Sequence, residues 1–359
     1  MEGTWTKIDI EPLGEGGQGT VWLVKKSGQP DPVEEMVLEI RNILHGGNTP
    51  ETLQLRHQEL RKALTSFLEG KYIFGAKKQL LNPTPEMNAR LAREAEVYER
   101  IADPHLLRLL DKDINNNWIV TEYHPQGSLQ DRLENYRGDV LKTLLAIRPL
   151  AYVLTKMHEE NFVHRDFNPR NIFVGRDGQL VLGDAGLALA LSEDETRVTK
   201  TTESVGSRHY KPAWTYGGRL ENVTPTFDIF SVGKVIWAMI AGRTTCPLWY
   251  VVEDKYDLEL LFPNRTEMLW INRLLGKCVV EKEREMKLRD GADLLREIDV
   301  TLGAVLARAV PPDQVLNVRR CRVCFIGKYI DDKSGHKGGL ANNALRCNEC
   351  GHLDFFDRK

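Results

Sequence analysis

Three groups of residues in this 359-residue chain could do chemistry by type and spacing. The first is a glycine run, Leu13-Gly14-Glu15-Gly16-Gly17-Gln18-Gly19-Thr20-Val21, which fits G-x-G-x-x-G-x-V. Glycines let a backbone fold tightly and aim its N–H groups at phosphate oxygens. Dinucleotide-binding loops use the same glycines but open a helix, whereas Thr20–Lys25 has strand character. The second group is Asp166, Asn168, Asn171 and Asp184, set in short polar turns between apolar runs. The oxygens of Asn171 and Asp184 suit a hard cation, a carboxylate such as Asp166 can take a proton, and the Asn168 amide can donate a hydrogen bond. The third is Cys321-Arg322-Val323-Cys324 with Cys347-Asn348-Glu349-Cys350, two C-x2-C pairs separated by 22 residues. Each pair can clip a metal ion from a tight turn, and four thiolates complete a tetrahedron.

The elements that must position these groups follow from periodicity. Residues 5–26 read as two short strands around the glycine turn. Residues 33–69 have helical spacing, in two runs parted by His45-Gly46-Gly47-Asn48. Lys71–Leu81 returns to strand character, and Met87–Ile101 reads as a helix. Ile114–Tyr123 reads as a hairpin turning at Asn115-Asn116-Asn117. After Gln126-Gly127 the chain is mainly helical to about residue 310, except for short strands and polar turns in Phe162–Leu191. Pro311-Pro312 marks a linker. The fold class is therefore α+β. A small antiparallel β-sheet lobe covers 1–120, with a helical insertion at 27–70. A larger helical lobe covers 121–310 and a cysteine-bearing tail 311–359.

Phe162-Val163-His164-Arg165-Asp166-Phe167-Asn168-Pro169-Arg170-Asn171-Ile172 matches H-R-D-x-x-x-x-N between apolar flanks. Leu182-Gly183-Asp184-Ala185-Gly186 stands in the D-F-G place, and Gly75-Ala76-Lys77-Lys78 resembles V-A-I-K. With the glycine loop these occur in order over about residues 8–300, and here the chain resembles the eukaryotic-type (Hanks-type) serine/threonine protein kinases, bacterial members included. The resemblance implies a two-lobed kinase fold that binds ATP with Mg²⁺ (or Mn²⁺) and transfers the γ-phosphoryl group to Ser/Thr hydroxyls of proteins, with autophosphorylation. It implies that Asp166 receives or orients the proton of the attacking hydroxyl, and that Asn171 and Asp184 hold the metal. Lys78 would hold the phosphates and Glu94 would hold Lys78. Lys77 should face the other way, because strand side chains alternate, and Glu96 points about 200° round its helix from Glu94. Nucleotide contacts would come from Gly14, Gly16, Gly19, Val21, Ala76, Thr121, Phe173 and the backbone of Glu122 and His124. Asp228, in Phe227-Asp228-Ile229-Phe230-Ser231-Val232-Gly233, would brace the catalytic loop.

Four departures from the family pattern matter. Asn168 stands where serine/threonine kinases carry a lysine; it keeps a hydrogen-bond donor but no charge. Ala185 replaces the D-F-G phenylalanine, which should change packing between the lobes. Pro212-Ala213-Trp214 replaces A-P-E and loses its glutamate, so Arg289 must find another partner. The insertion at 27–70 is either a helical decoration or a partner-binding element. Asn168, Ala185 and Trp214 favour the alternative reading, a pseudokinase that binds nucleotide or partners and signals by shape. Retention of Lys78, Glu94, Asp166, Asn171 and Asp184 favours catalysis. Arg165 precedes Asp166 and could pair with a phosphate in Thr199–Ser204.

The tail resembles a zinc ribbon, with Zn²⁺ on Cys321, Cys324, Cys347 and Cys350; disulfides or free thiols are the alternatives. Residues 319–359 carry a formal +4, which supports a nucleic-acid partner only weakly and a protein partner equally well. The whole chain is near neutral, at −2, so its charge names no polyanionic partner. Met1-Glu2-Gly3-Thr4-Trp5 does not read as a signal peptide, and Val232–Ala241 is too short to span a bilayer. The expectation is a cytoplasmic protein without a membrane contact.

Overall fold

The computed structural model describes residues 5–8, 11–16, 19–26, 74–190, 207–215, 223–244 and 254–308, together with three short strands between 329 and 356. The insertion at 27–70, the Thr199–Ser204 segment, and Cys321, Cys324 and Cys350 lie outside them.

The first lobe is a six-stranded antiparallel sheet. Its strands are β1 (Trp5–Lys7), β2 (Gly14–Gly16), β3 (Gly19–Lys26), β4 (Phe74–Gln79), β5 (Leu109–Asp113) and β6 (Trp118–Glu122). The order is β1-β3-β4-β6-β5, with β2 paired to the other end of β3. The glycine turn is thus flanked by β2 and β3, and β1 is a separate strand laid on the far half of β3. Helix α1 (Pro85–Arg100) packs against β5 and β6 of this sheet. It begins two residues before the sequence spacing suggested, because Thr84 caps it, accepting from the Met87 N–H at 3.3 Å, and Pro85 fits the first turn. Leu91, Glu94, Ala95, Val97 and Tyr98 form its buried face.

The second lobe is helical. It contains α2 (Val140–Glu159), α3 (Thr226–Ala241), α4 (Leu258–Leu261), α5 (Met268–Cys278) and α6 (Gly291–Arg308). Every side chain of α3 from Phe227 to Ala241 is buried, so the helix lacks a polar face and runs through the core. Gly242 ends it in the left-handed conformation (φ +64°). Two small two-stranded antiparallel sheets belong to this part of the chain. Strands β7 (Phe162–Val163) and β10 (Leu189–Ala190) pair, as do β8 (Ile172–Val174) and β9 (Leu180–Leu182). Trp214, in place of the family glutamate, sets its ring edge-on to Phe230 of α3, with centroids 5.4 Å apart, so aromatic packing joins this segment to the central helix.

In the tail, β11 (Tyr329–Asp331), β12 (Asn343–Cys347) and β13 (Leu353–Phe356) form an antiparallel sheet of their own. Cys347 ends β12 opposite Tyr329. Among the described residues, no helix is long and apolar enough to cross a membrane and no cluster of metal-ligating side chains occurs.

Candidate active site

Strand alternation decides the fate of the two adjacent lysines. Lys77 lies on the outer face, its ammonium 4.3 Å from the centroid of the Trp118 ring. Lys78 points inward, 2.7 Å from Glu94 Oε2 and 3.3 Å from Asp184 Oδ1. Glu96 instead pairs with Arg100 at the surface, at 3.1 Å. Burial alone would discharge Lys78, but the Asp184 and Glu94 carboxylates outweigh it and hold the ammonium above the usual lysine range. Burial also pushes Glu94 upward, and Lys78 opposes that push. Lys78 therefore joins strand β4, helix α1 and the turn after β9 through one cation.

Asp184 follows β9 in the left-handed conformation (φ +52°), which turns its carboxylate toward Lys78. That ammonium, more than anything else, holds Asp184 below the usual carboxylate range. Gly186 sits close under this pair: a Cβ there would lie 3.1 Å from Glu94 Oε2 and 3.2 Å from Asp184 Oδ1, so both carboxylates would have to give by a few tenths of an ångström.

The loop between β7 and β8 carries the other polar groups. Asn171 donates from Nδ2 to Asp166 Oδ2 at 2.8 Å and to the Asp166 carbonyl at 2.9 Å, which leaves its Oδ1 as an acceptor. Asn168 is 4% exposed, and its amide is engaged within the loop: Nδ2 donates to the Asp166 carbonyl, and Oδ1 accepts from the Arg170 N–H, both at 3.0 Å. Those bonds brace the loop; they do not present the amide to a phosphate. Burial raises the Asp166 carboxyl, as does Asp184, while Lys211 and His164 oppose the rise.

The loop backbone hangs from Asp228 at the start of α3. Asp228 Oδ2 accepts from the His164 N–H at 2.8 Å and from His158 Nε2 at 3.0 Å, and Oδ1 accepts from the Arg165 N–H at 2.8 Å. His158 Nδ1 in turn accepts from the Gly291 N–H at 2.8 Å, so Nε2 carries the proton that Asp228 accepts. His164 Nε2 reaches the Gly183 carbonyl at 3.1 Å and ties the loop to the Asp184 turn.

Directly opposed residues of an antiparallel pair share a face. The register Val21↔Lys78, Leu23↔Ala76 and Ala76↔Thr121 therefore puts Val21, Ala76 and Thr121 on the face that carries Lys78. Phe173 of β8 stacks on the His124 ring, with centroids 6.0 Å apart and planes at 19°. Glu122 and His124 sit where β6 leaves the sheet for the second lobe. Gly14 and Gly16 lie in β2, opposite Val21 and Gly19. Gly19 (φ +150°) must be glycine, since a Cβ would fall 2.4 Å from the Gln79 carbonyl oxygen. Sequence reasoning missed Tyr98, His158 and the buried Lys211, whose ammonium charge favours ionised Asp166. Only the four-residue spacing from Glu94 could have pointed to Tyr98.

The protein kinase domain model matches residues 68–267, more than half of the 359-residue chain, and the chain belongs to that family. The glycine loop lies outside the matched span, upstream of the insertion. Among similar proteins, a probable serine/threonine-protein kinase of Clostridium acetobutylicum is 27% identical over 273 residues, 71% of this chain and 40% of that protein. The probable serine/threonine-protein kinase PkwA of Thermomonospora curvata is 33% identical over 165 residues, 44% of this chain and 21% of that one. Aurora kinase A-A of Xenopus laevis is 27% identical over 157 residues, 43% of this chain and 37% of that one. The chain thus spans less than half the length of each of these relatives.

Proposed function

We propose that this protein transfers the γ-phosphoryl group of Mg-ATP to serine or threonine hydroxyls of proteins. The observation that carries the reading is Lys78 bound at once to Glu94 and Asp184, across from an Asp166 held by Asn171. The donor set fits the groups it would hold. Asp184 and the Oδ1 of Asn171 are hard oxygen ligands for Mg²⁺, and Lys78 is a compact cation for phosphate. Magnesium, when bound, neutralises phosphate charge. Val21, Ala76 and Phe173 would flank adenine, with Thr121 and the backbone of Glu122 and His124 at its edge. Asp166 would take the proton as the substrate oxygen bonds to phosphorus and the bond to the ADP oxygen breaks. The two bacterial relatives, each described as a probable serine/threonine-protein kinase, support serine or threonine over tyrosine as acceptor.

The test is transfer of label from Mg-ATP to generic protein substrates and to the protein itself. Lys78→Met is expected to lower kcat/KM by about 10²–10³-fold, as loss of one preorganised donor does. No incorporation by wild type would sink the reading and leave the pseudokinase. Incorporation into the protein itself, mapped by mass spectrometry, would place autophosphorylation within Thr199–Ser204 or exclude it.

For the tail we propose a zinc site on Cys321, Cys324, Cys347 and Cys350, supported by the paired spacing and by the small sheet in which β12 ends at Cys347. Elemental analysis is expected to find about one zinc per chain, lost on Cys324→Ser. Full metal content in that variant would refute the assignment.

A further inference from the structure

Helix α1 places Tyr98 one turn beyond Glu94, both on its buried face. The helix packs against the turn 185–187, where Ala185 is wholly buried but offers only a methyl group in the place of a phenylalanine. Tyr98 is 6% exposed, and its hydroxyl meets both sides of this contact. It donates to Glu94 Oε1 at 3.2 Å and accepts from the Ala185 N–H at 3.3 Å. Glu94 uses its other oxygen on Lys78 at 2.7 Å, and Lys78 reaches back to Asp184 at 3.3 Å. Lys78, Glu94, Tyr98, Ala185 and Asp184 thus close a ring of contacts.

We infer that Tyr98 is a positioning residue: its ring fills the space that Ala185 leaves, and its hydroxyl locks helix α1 to the Asp184 turn. The loss of the D-F-G ring is offset from the opposite side of the contact by a larger residue that adds a hydrogen bond. Burial and the neighbouring Glu94 hold the phenol well above its ordinary range, so it remains a donor at all working pH values. Glu94 is then fixed at both oxygens, and Lys78 with it. A helix α1 that swings away must break the bond to Ala185 as well as the ion pair.

This inference rests on the assignment of Lys78 and Asp184 to phosphate and metal, and the test separates the two. Four variants are compared with wild type: Tyr98→Phe, Tyr98→Leu, Ala185→Phe, and Tyr98→Leu with Ala185→Phe. Tyr98→Phe is expected to lower kcat about tenfold, the factor a lost hydrogen bond to a charged group is worth, with KM for ATP within about twofold. Ala185→Phe alone has no room for its ring and should lose more. The double variant should regain most of the activity and the melting temperature of wild type, a coupling that neighbours sharing one space must show. Wild-type kcat in Tyr98→Phe overturns the hydroxyl's role. Losses that simply add in the double variant overturn the shared space, as does a double variant that fails to fold. If wild type transfers no phosphate, the phosphotransfer reading falls. The Tyr98–Ala185 coupling is then decided by the melting temperatures alone, where non-additivity upholds it and additivity overturns it.

Discussion

Replacing Asp166 by asparagine is expected to reduce phosphoryl transfer by about 10²–10⁴-fold, the usual contribution of a positioned proton acceptor. Nucleotide binding should survive, because Asp166 is not among the residues placed against adenine, phosphates or metal. The loop should survive too: an amide oxygen at this position can still accept from Asn171, which now bonds Asp166 Oδ2 at 2.8 Å. The pH profile offers a second readout. Burial and the nearby Asp184 charge raise the Asp166 carboxyl above its ordinary range, and Lys211 only partly offsets them. The group accepts a proton only when ionised, so the rate should fall on the acid side at a pH above that of a free aspartate. In Asp166→Asn that limb should be missing from the residual rate. Steady-state kinetics across pH, with nucleotide affinity measured separately, checks both. An unchanged kcat would remove Asp166 from the chemistry.

Asp228→Ala is expected to cost about 3–5 kcal/mol of folding stability, since it strands buried donors that no other group can serve. Asp228 is fully buried and accepts from two backbone N–H groups and from His158. The melting temperature should drop by roughly 10 °C for a unit of this size. Burial would raise the Asp228 carboxyl, yet its hydrogen bonds and the nearby histidines hold it below the ordinary value. A depressed folded-state pKa contributes stability above the unfolded carboxylate value, and that contribution is lost as pH falls through the folded value. The gap between wild type and Asp228→Ala should therefore be full at neutral pH and shrink in acid. Denaturant unfolding at several pH values measures it, and a variant as stable as wild type at neutral pH would show that the loop does not depend on this carboxylate. Activity should also fall, because the two N–H groups belong to His164 and Arg165, next to Asp166.

Much of the site could be read from the residues in order. The resemblance to V-A-I-K picked out Lys78; strand alternation then turned Lys77 away from it, and the turn of a helix separated Glu94 from Glu96, as Lys77 on Trp118 and Glu96 on Arg100 illustrate. Asp228 was legible as the brace of the loop only through the resemblance of Phe227–Gly233 to the family's helix start; the structure gives the reason, a carboxylate buried beneath two loop N–H groups. The insertion at 27–70 and three of the four tail cysteines lie outside the described residues, so those readings rest on pattern alone.

The sequence by itself determined the inventory: a glycine turn before a strand, a lysine on the next strand, an aspartate–asparagine loop and a second aspartate, in the order the kinase family uses. Short-range residue types and spacing, matched to the family's motifs, suffice for that, since each motif spans only a few consecutive residues. The tertiary structure alone decided which groups serve each other across elements. It turned Asn168 into its own loop, brought Lys211 near Asp166, linked His158 to both Asp228 and Gly291, and set Tyr98 against Ala185. Such pairs lie up to 133 positions apart in the chain. Their meeting depends on how helices and strands pack, and packing is a property of volumes filled in three dimensions rather than of any one segment.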